Sequence, residues 1–392
     1  MSPTYIDLFA GAGGLSLGLK LGGLAPLLSI EKDKFAAQTL KRNFNHKICC
    51  IDLVEHVKKN DIKKIVKDSP DIIAGGPPCQ GFSIAARNRI NENDTRNDLP
   101  FIFLKWVKFL KPKAFIIENV PGILTKYNSK GEIIFDSIKE YSNSLGYALS
   151  VWNLNAANYG VPQSRNRVFL LGMLNGEHIP PPHPKFFDPL SQKENEYNLE
   201  KAVTVGEAIL DLPAIQAREG TEVMPYSDIN EELSDFQEWA RQDSKMVYNH
   251  VAMNHTPRMV LRYQAFIDGI EDLPDELKVR KRNGNGVLST SKFNLNYRYL
   301  HPDNVSYTIP ASFYSSFVHP TIPRNITTRE AARLQSFPDT YIFEGKRTLI
   351  SSKLLKRQGK IDQIGLSQYN QVGNAVPPLL AKVIGQTIRK YL

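Results

Sequence analysis

The sequence predicts an α/β fold built on a parallel sheet, with a second, smaller domain. Short apolar strands alternate with amphipathic helical segments through the first 175 residues. From about residue 178 the elements become short and weakly periodic, and clear helix signals return near residue 326. The 392-residue length also exceeds the usual size of a single domain, which agrees with two lobes.

The predicted elements of the first domain follow in a regular order. Strands are predicted in the segments YIDLFAG, APLLSIEKD, KICCID, DIIAGG, KAFIIENV, ALSVWNLNA and RVFLLGML. Helices are predicted between the first strands, in GGLSLGLKLGG and KFAAQTLKRNF. Ligands of such sheets bind beyond the carboxyl ends of the strands, so residues at those ends are candidates for function.

The second half begins with a proline-rich segment, EHIPPPHPKFFDPLSQKENEY, which is typical of a linker or domain boundary. A capping box formed by Thr327 and Glu330 then predicts a helix start, and GNAVPPLLAKVIGQTIRKYL predicts a C-terminal amphipathic helix. We therefore predict a large domain over residues 1–177, completed by a C-terminal helix over 366–392, and a small domain over 178–365.

Composition narrows the class of protein. Lys and Arg number 49 against 40 Asp and Glu, which gives a net charge of +9 and modestly favours a polyanionic partner. No apolar run is long enough to span a membrane, and no secretory signal begins the chain, so no membrane partner is expected. The three cysteines form neither a disulfide framework nor a metal-ligand set, so we expect a cytoplasmic protein without a bound metal.

A glycine-rich turn and two acids suggest a nucleoside-bearing cofactor. Gly11 and Gly13 lie between the first strand and the first helix, where backbone can approach a ligand and the helix N-terminus offers free N–H groups. Glu31 ends the next strand and is placed to hold ribose hydroxyls, and Asp52 closes the third. The turn alone fits both NAD and S-adenosylmethionine.

A thiol, a carboxyl group and two guanidinium groups are expected to converge on the same edge of the sheet. Cys79 follows the fourth strand in GGPPCQGFS, Glu118 ends the fifth strand, and Arg165 and Arg167 precede the last. A thiolate is a strong nucleophile, and nearby cations favour its formation. A carboxyl group in a closed site can have its pKa raised and can donate a proton.

These motifs, in this order, resemble the DNA (cytosine-5) methyltransferase family. The resemblance is carried by DLFAGAGGLSLGL, SIEKD, GGPPCQGFS, IIENVPGIL, QSRNRVFLLG, TTREAARLQSFPD and QVGNAVPP. It implies a Rossmann-like S-adenosylmethionine-dependent methyltransferase domain over the large domain, and a smaller, irregular target-recognition domain. It also implies S-adenosylmethionine as the cofactor and methylation of cytosine at carbon 5.

The family's chemistry carries over to matching residues. Cys79 is expected to attack carbon 6 of cytosine, Glu118 to protonate N3, and Arg165 to contact the base carbonyl, with Arg167 also in the catalytic set. The residues expected to contact the cofactor are Phe9, Gly11, Gly13, Glu31, Asp52, Pro78, Leu99, Asn374 and Val376. Packing explains Leu99 and Val376 equally well, and Asn374 can instead cap a turn.

The target cytosine must be flipped out of double-stranded DNA to reach these groups. The polar segment 83–99 follows the nucleophile and resembles the family's loop that closes over DNA. A helix is predicted with Thr256 as its N-cap and Pro257 at its first position, which gives Arg258 and Arg262 one face. The residues predicted to contact DNA are Gln80, Ser83, Arg87, Arg96, Arg258, Arg262 and Arg298.

The resemblance favours a monomeric bacterial modification enzyme with a companion restriction endonuclease, and no regulatory domain before the first strand. A tRNA cytosine methyltransferase with the same core is the nearest alternative. An NAD-dependent dehydrogenase is supported only by the glycine turn and Glu31, and a catalytically silent DNA-binding protein is disfavoured by the retained Cys79 and Glu118. His250 and His255 invite a metal interpretation but lack cysteine partners.

Overall fold

The computed structural model describes most of the chain in two compact units. The residues described are 2–78, 99–127, 131–191, 195, 197–228, 232–270, 272–278, 287–288, 298–348 and 352–392. Unit 1 comprises Met1–Gly160, Arg165–Phe186 and Ala375–Leu392, and unit 2 comprises Val161–Ser164 and Phe187–Asn374. The functional division at residues 177 and 178 stays a prediction.

Unit 1 is built on a seven-stranded sheet. Its strands are β1 Thr4–Leu8, β2 Ala25–Glu31, β3 Lys47–Cys50, β4 Ile72–Gly75, β5 Ala114–Asn119, β6 Tyr147–Asn155 and β7 Asn166–Leu174. Their order across the sheet is β3-β2-β1-β4-β5-β7-β6. Its helices are α1 Gly14–Leu21, α2 Lys34–Asn43, α3 Lys59–Ile65, α4 Leu99–Leu110 and α5 Ile134–Ser144. This confirms the predicted α/β class.

The sheet is mixed, whereas the sequence predicted a parallel one. Strands β1 to β5 are parallel to their neighbours, but β7 runs antiparallel to both β5 and β6. A parallel pair needs a crossover, usually a helix, to return the chain to the same end of the sheet. Between β6 and β7 the chain makes only a short 3₁₀ turn, Ala156–Tyr159, before β7 begins, and it therefore reverses direction.

The C-terminal region forms two helices instead of the single helix predicted over 366–392. Helix α11 spans Gln368–Asn374 in unit 2, and α12 spans Pro378–Ile388 in unit 1. Pro377 and Pro378 separate them, because proline removes a helical hydrogen bond and restricts the residue before it. A short 3₁₀ segment, Arg389–Tyr391, follows α12.

Helices α1 and α12 pack closely within unit 1. A Cβ added at Gly18 of α1 would lie 2.3 Å from the Ala381 Cβ and 2.4 Å from the Pro378 carbonyl oxygen. Gly22 similarly faces the Lys382 carbonyl oxygen at 2.8 Å. The glycines therefore allow the last helix to lie against the helix that follows the glycine-rich turn.

The predicted linker is bound to the surface of unit 1. Trp152 Nε1 donates to the Ile179 carbonyl oxygen (2.9 Å), and the Tyr159 hydroxyl donates to that of Pro182 (2.9 Å). The Ile179 N–H in turn donates to Ser150 Oγ at 2.8 Å. Residues 177–186 are thus held by hydrogen bonds within unit 1, and the chain enters unit 2 after Phe186.

Unit 2 consists of short elements, as its irregular pattern predicted. Its helices are α6 Val205–Ile209, α7 Asp235–Arg241, α8 Pro257–Ile267, α9 Thr328–Leu334, α10 Ser352–Arg357 and α11. Short strands are β8 Phe186–Phe187 at the unit boundary, β9 Glu200–Lys201, β10 Gly220–Pro225, β11 Met246–Val251, β12 Arg298–Tyr299 and β13 Phe317–Val318. They pair two by two, β8 with β9, β10 with β11 and β12 with β13.

Buried ion pairs organise the centre of unit 2. The Arg333 guanidinium contacts both Asp339 and Asp211, with its Nη2 2.6 Å from Asp339 Oδ2 and its Nη1 2.9 Å from Asp211 Oδ1. Arg324 forms a second pair with Glu330 at 2.6 Å. Glu330 also completes the predicted capping box, since its carboxylate accepts from the Thr327 N–H. Across the described ranges, no helix has the length and apolar character to cross a membrane.

Candidate active site

The glycine-rich turn after β1 has three residues in the left-handed region. Phe9, Gly11 and Gly13 have φ values of 59°, 55° and 83°. Gly11 needs glycine for its backbone angle, because an added Cβ there would meet no heavy atom within 4 Å. The turn thus leaves an open surface over the amino end of α1, whose first N–H groups carry the positive end of the helix dipole.

Glu31 fixes this turn from the neighbouring strand. Its Oε2 accepts from the Gly11 N–H at 2.8 Å, and its Oε1 accepts from the Asp33 N–H at 2.7 Å. Burial raises the pKa of Glu31, and these backbone hydrogen bonds act in the opposite direction. Each carboxylate oxygen keeps further acceptor capacity, so the group can still bind hydroxyls of a ligand.

Asp52 lies two residues beyond the end of β3, the strand next to β2. Its Oδ1 accepts from the Val54 N–H at 2.9 Å, and its Oδ2 lies 3.7 Å from Lys32 Nζ. Because Glu31 pairs in register with Cys50 of parallel strand β3, Glu31 and Asp52 belong to the same carboxyl edge of the sheet. The structure therefore brings the glycine turn and both predicted acids to adjoining strand ends.

The remaining predicted cofactor residues have mixed surroundings. Pro78 is exposed after β4, whereas Leu99 is a buried member of the main hydrophobic core and begins α4. Val376 is also buried and belongs to unit 1. Asn374 is an exposed residue of unit 2 at the end of α11.

Glu118 and Arg167 form a buried ion pair on antiparallel strands β5 and β7. Arg167 Nε lies 3.0 Å from Glu118 Oε1, and each side chain is only 13% exposed. An added Cβ at Gly76 would lie 3.0 Å from Glu118 Oε2, so the glycine after β4 makes room for the carboxyl group. The fourth and fifth strand ends therefore meet at Glu118.

The charge state of this pair reflects two opposing effects. Burial raises the pKa of Glu118, and the positive charges of Arg167 and Arg165 pull that pKa back down. Burial also lowers the pKa of Arg167, which the negative charge of Glu118 opposes. A buried carboxyl group with a raised pKa is suited to holding and delivering a proton.

Asn119 connects this pair to the segment that precedes the predicted nucleophile. Its Nδ2 donates to the Pro77 carbonyl oxygen at 3.1 Å, and its Oδ1 accepts from the Val120 N–H at 2.9 Å. The sequence interpretation quoted Asn119 within a motif but gave it no role, although its place directly after Glu118 was a usable signal. The predicted site residues Cys79, Gln80, Ser83, Arg87 and Arg96 lie outside the described residues.

Arg165 occupies a different position from Arg167. It is 2% exposed, its Nη2 donates to the Ala375 carbonyl oxygen at 3.3 Å, and its backbone N–H donates to Asn155 Oδ1 at 2.9 Å. Burial lowers the pKa of Arg165. Arg167, which lies within β7 and does not precede it as predicted, is the arginine that is ion-paired to Glu118.

The predicted DNA-contacting residues of unit 2 differ in their exposure to solvent. Thr256 caps α8 as predicted, and Arg258 is exposed. Arg262 is buried, and its guanidinium donates to the backbone carbonyls of Leu277 and Lys278. The phosphate contact predicted for Arg262 stays a prediction, and the structure shows these guanidinium donors bonded inside the unit.

The two histidines considered for metal binding have internal partners. The His250 ring bonds with Thr327 Oγ1 and with the Pro213 carbonyl oxygen, both at 2.9 Å. His255 Nε2 accepts from the Asn325 N–H at 3.3 Å. The part of the chain described here contains no group of three or more potential metal ligands.

At its strand ends, the α/β sheet carries a glycine-rich turn suited to a nucleoside and the acid Glu118. These are features of an enzyme that transfers a group from a nucleoside-bearing cofactor. The family model of C-5 cytosine-specific DNA methylases matches residues 4–390. The chain therefore belongs to the C-5 cytosine-specific DNA methylase family and is an enzyme, a DNA (cytosine-5) methyltransferase.

Individual relatives agree with this assignment. The chain is 42% identical to Type II methyltransferase M.DdeI of Desulfomicrobium norvegicum, over 99% of this chain and 89% of that protein. It is 34% identical to Type II methyltransferase M1.HphI of Haemophilus parahaemolyticus, over 100% of this chain and 87% of that protein.

Solved structures confirm the fold. A prophage-encoded DNA modification methyltransferase of E. coli matches with a TM-score of 0.69 and 25% identity, over 99% of both chains. DNMT2 of Spodoptera frugiperda matches with a TM-score of 0.56 and 15% identity over 98% of both chains, a likeness that concerns the fold alone. The Rossmann-like methyltransferase fold implied by the sequence motifs is thus confirmed.

Proposed function

We propose that this enzyme transfers a methyl group from S-adenosylmethionine to carbon 5 of a flipped-out cytosine in duplex DNA, through a covalent adduct with Cys79. The observation that carries this proposal is the buried Glu118–Arg167 pair, at 3.0 Å. Asn119 links the strand that bears Glu118 to Pro77, two residues before Cys79.

The residues at the other strand ends fit the cofactor. The left-handed turn at Phe9, Gly11 and Gly13 leaves room for backbone to approach a ligand, and Glu31 is fixed beside it with acceptor capacity for ribose hydroxyls. Asp52 is placed to accept from an exocyclic amine, and Pro78, Leu99, Asn374 and Val376 are proposed as further contacts. When bound, S-adenosylmethionine supplies an electrophilic methyl group.

The chain's own residues would activate the cytosine. The Cys79 thiolate adds to carbon 6, while the neutral Glu118 carboxyl group gives its proton to N3, so the ring becomes an enamine with a nucleophilic carbon 5. After methylation, a water molecule takes the proton from carbon 5, and the electron pair of that C–H bond forms the carbon 5–carbon 6 double bond as the sulfur–carbon bond breaks. The Cys79 thiolate then leaves, the N3 proton returns to Glu118, and the 5-methylcytosine is released.

Arg165 is proposed to contact the carbonyl oxygen of the target base, as the family resemblance implies. A guanidinium has five N–H donors, so Arg165 can bond with Ala375 and with a base oxygen together. Arg167 pairs with Glu118 and is proposed to position that carboxyl group. Both arginines add positive charge that lowers the pKa of Glu118.

Duplex DNA is proposed as the substrate, in a restriction-modification system with a companion endonuclease. The basic balance of the chain and its similarity to relatives named Type II methyltransferases support this proposal. Exposed Arg258 and Arg298 of unit 2 are proposed to contact the DNA, together with Gln80, Ser83, Arg87 and Arg96. We further propose that the enzyme acts in the cytoplasm as a monomer.

The decisive experiment incubates the enzyme and S-adenosylmethionine with duplex DNA that contains 5-fluorocytosine at the target position. Fluorine cannot leave as a cation, so the enzyme should remain covalently attached after methyl transfer. Cys79→Ala should form no adduct yet still bind S-adenosylmethionine, whereas Cys50→Ala, which changes an exposed thiol, should form it normally. Absence of an adduct on cognate DNA, or methylation of tRNA only, would exclude the proposal.

A further inference from the structure

Arg298 and Tyr307 form a cation–π pair on the surface of unit 2. The guanidinium carbon of Arg298 lies 4.8 Å from the centre of the Tyr307 ring. Arg298 is exposed, and 40% of the Tyr307 surface remains accessible to solvent. An arginine over an aromatic face gains a cation–π interaction and loses rotational freedom, so the position of its guanidinium is restricted before any ligand binds.

The backbone on either side of Tyr307 is fixed by the segment Val161–Ser164. The Ser164 N–H donates to the Ser306 carbonyl oxygen at 2.8 Å, and the Ser306 N–H donates to that of Pro162 at 3.1 Å. Thr308 Oγ1 donates to the Ser164 carbonyl oxygen at 2.7 Å. Tyr307 therefore lies between two anchored residues, which hold its backbone in place.

The segment Val161–Ser164 leads along the chain directly into β7, the strand that bears Arg167. Ser164 is followed in the chain by Arg165 and then, two residues on, by Arg167. Gln163, from the same segment, is fully buried and bonds with the Ile309 N–H at 2.9 Å and with Gln335 Oε1 at 3.0 Å. The stretch of chain that fixes Tyr307 is thus itself rigidly held within unit 2.

Arg298 is anchored from its own side. It belongs to β12, its N–H donates to the Ser316 carbonyl oxygen at 2.7 Å, and it pairs in register with buried Phe317 of β13. Among the described residues, no carboxylate forms an ion pair with Arg298, whereas Arg324, Arg329 and Arg333 of the same unit are all paired to acids. Its positive charge is thus available to an external acceptor.

We infer that Arg298, held on Tyr307, reads a guanine in the DNA recognition sequence. The cation–π contact uses the charge of the guanidinium and not its N–H groups, and these match guanine O6 and N7 in a bidentate contact. A phosphate contact does not require a restricted guanidinium and is served equally by a mobile lysine. This inference rests on the proposed function and assigns a guanine as the base that Arg298 of unit 2 binds.

The test measures sequence preference instead of activity alone. Wild-type enzyme and variants are expressed in cells without other cytosine methylation, and bisulfite sequencing of the DNA reports the methylated contexts. Arg298→Lys and Tyr307→Ala should lose discrimination about tenfold or more at one guanine of the site and leave the other positions unchanged. Tyr307→Phe keeps the ring and should retain the wild-type preference, as should Arg357→Ala, which removes an exposed cation of α10.

Each other outcome contradicts the inference. Arg298→Lys with the wild-type preference, or Arg298→Ala with a uniform loss at all positions and a weaker salt dependence of DNA binding, would indicate a phosphate contact. Thermal unfolding of each purified variant distinguishes these results from misfolding, and the Lys and Phe variants leave the packing nearly intact. Wild-type enzyme that methylates no DNA cytosine would instead exclude the proposed function, and this inference with it.

Discussion

Arg167 Nε lies 3.0 Å from Glu118 Oε1, so the acid at the end of β5 is paired by a residue of the antiparallel strand β7. The arginine partly offsets the effect of burial on the pKa of Glu118. The pair therefore sets how readily the carboxyl group gives up its proton. This relationship leads to a prediction about how Arg167 affects the pH dependence of the reaction.

In the wild-type enzyme, the rate of methyl transfer should fall as pH rises through the pKa of Glu118, because only the protonated carboxyl group can donate. Arg167→Met removes a charge that lowers this pKa, so the fall should move to higher pH while the maximal rate decreases. Single-turnover methylation across pH measures both effects. Arg357→Ala, which removes an exposed charge of unit 2, should leave the profile in place, and a shift of the Arg167→Met profile to lower pH would contradict the effect assigned to Arg167.

Glu31→Gln should weaken S-adenosylmethionine binding about tenfold or more. One carboxylate oxygen becomes an NH₂ group, which cannot accept from either the Gly11 or the Asp33 N–H, so the turn loses one of its two fixing hydrogen bonds. Isothermal titration calorimetry measures the affinity, with the exposed acid change Glu55→Gln as the matched control. An unchanged affinity would exclude a role of Glu31 at the cofactor.

Gly18→Ala should destabilise the protein, although alanine is the better helix former. The added methyl group would meet α12 at 2.3 and 2.4 Å, and overpacking of this kind typically costs about 1–3 kcal/mol. Thermal unfolding should show a lower midpoint for this variant, and Gln386→Ala on the exposed side of α12 should not. A rise in the midpoint would show that α1 and α12 can move apart without a loss of stability.

The free energy of unfolding should decrease as pH rises from about 4 to about 7, because of the buried carboxyl group of Asp7. Its carboxyl group is fully buried and accepts from Ser16 Oγ at 2.6 Å, and burial raises its pKa to about 7. The unfolded chain releases this proton near pH 4, so the folded state binds more protons across that range and stability declines with pH.

Asp7→Asn should remove most of this decline, because the amide stays neutral at every pH. Urea unfolding at several pH values between 4 and 8 measures the slope, with Asp136→Asn on exposed α5 as the matched control. The prediction fails if the slope of the variant equals that of the wild-type protein.

Arg333→Met should destabilise unit 2 by about 3–5 kcal/mol, because it leaves Asp211 and Asp339 buried without their common partner. The loss should shrink as pH falls from 7 to 5, because burial raises the pKa of Asp339 and Arg333 lowers it, so without Arg333 that carboxyl group takes up a proton more readily. Chemical denaturation at both pH values measures this dependence. Lys353→Met, at an exposed position, should show neither effect, and a pH-independent loss for Arg333→Met would argue against buried charge as the cause.

Local signals in the sequence predicted the elements that local interactions form. The Thr327 capping box, the Thr256 N-cap and the glycine-rich turn before the first helix depend on residues within a few positions, and all three are observed. The convergence of Glu31 and Glu118 on strand ends could also be predicted, because the alternation of strands and helices implies it.

Contacts between residues that lie far apart in the sequence could not be predicted from local signals. Arg165 and Arg167 are two residues apart, and only the antiparallel register that places Glu118 opposite Phe169 determines which of them contacts the acid. Similarly, Arg262 has the spacing of an exposed helical arginine, but carbonyl groups from residues 277 and 278 bury it. The reversal of β7 followed from the connection between β6 and β7, which contains only a 3₁₀ turn and no crossover helix.

The packing of α12 on α1 also governs the order in which the protein can fold during translation. The ribosome makes α1 before unit 2 and α12 after it. Nascent unit 1 must therefore keep the side of α1 that bears Gly18 and Gly22 uncovered until α12 leaves the exit tunnel. A chaperone that shields this surface on the growing polypeptide would act only until α12 has emerged.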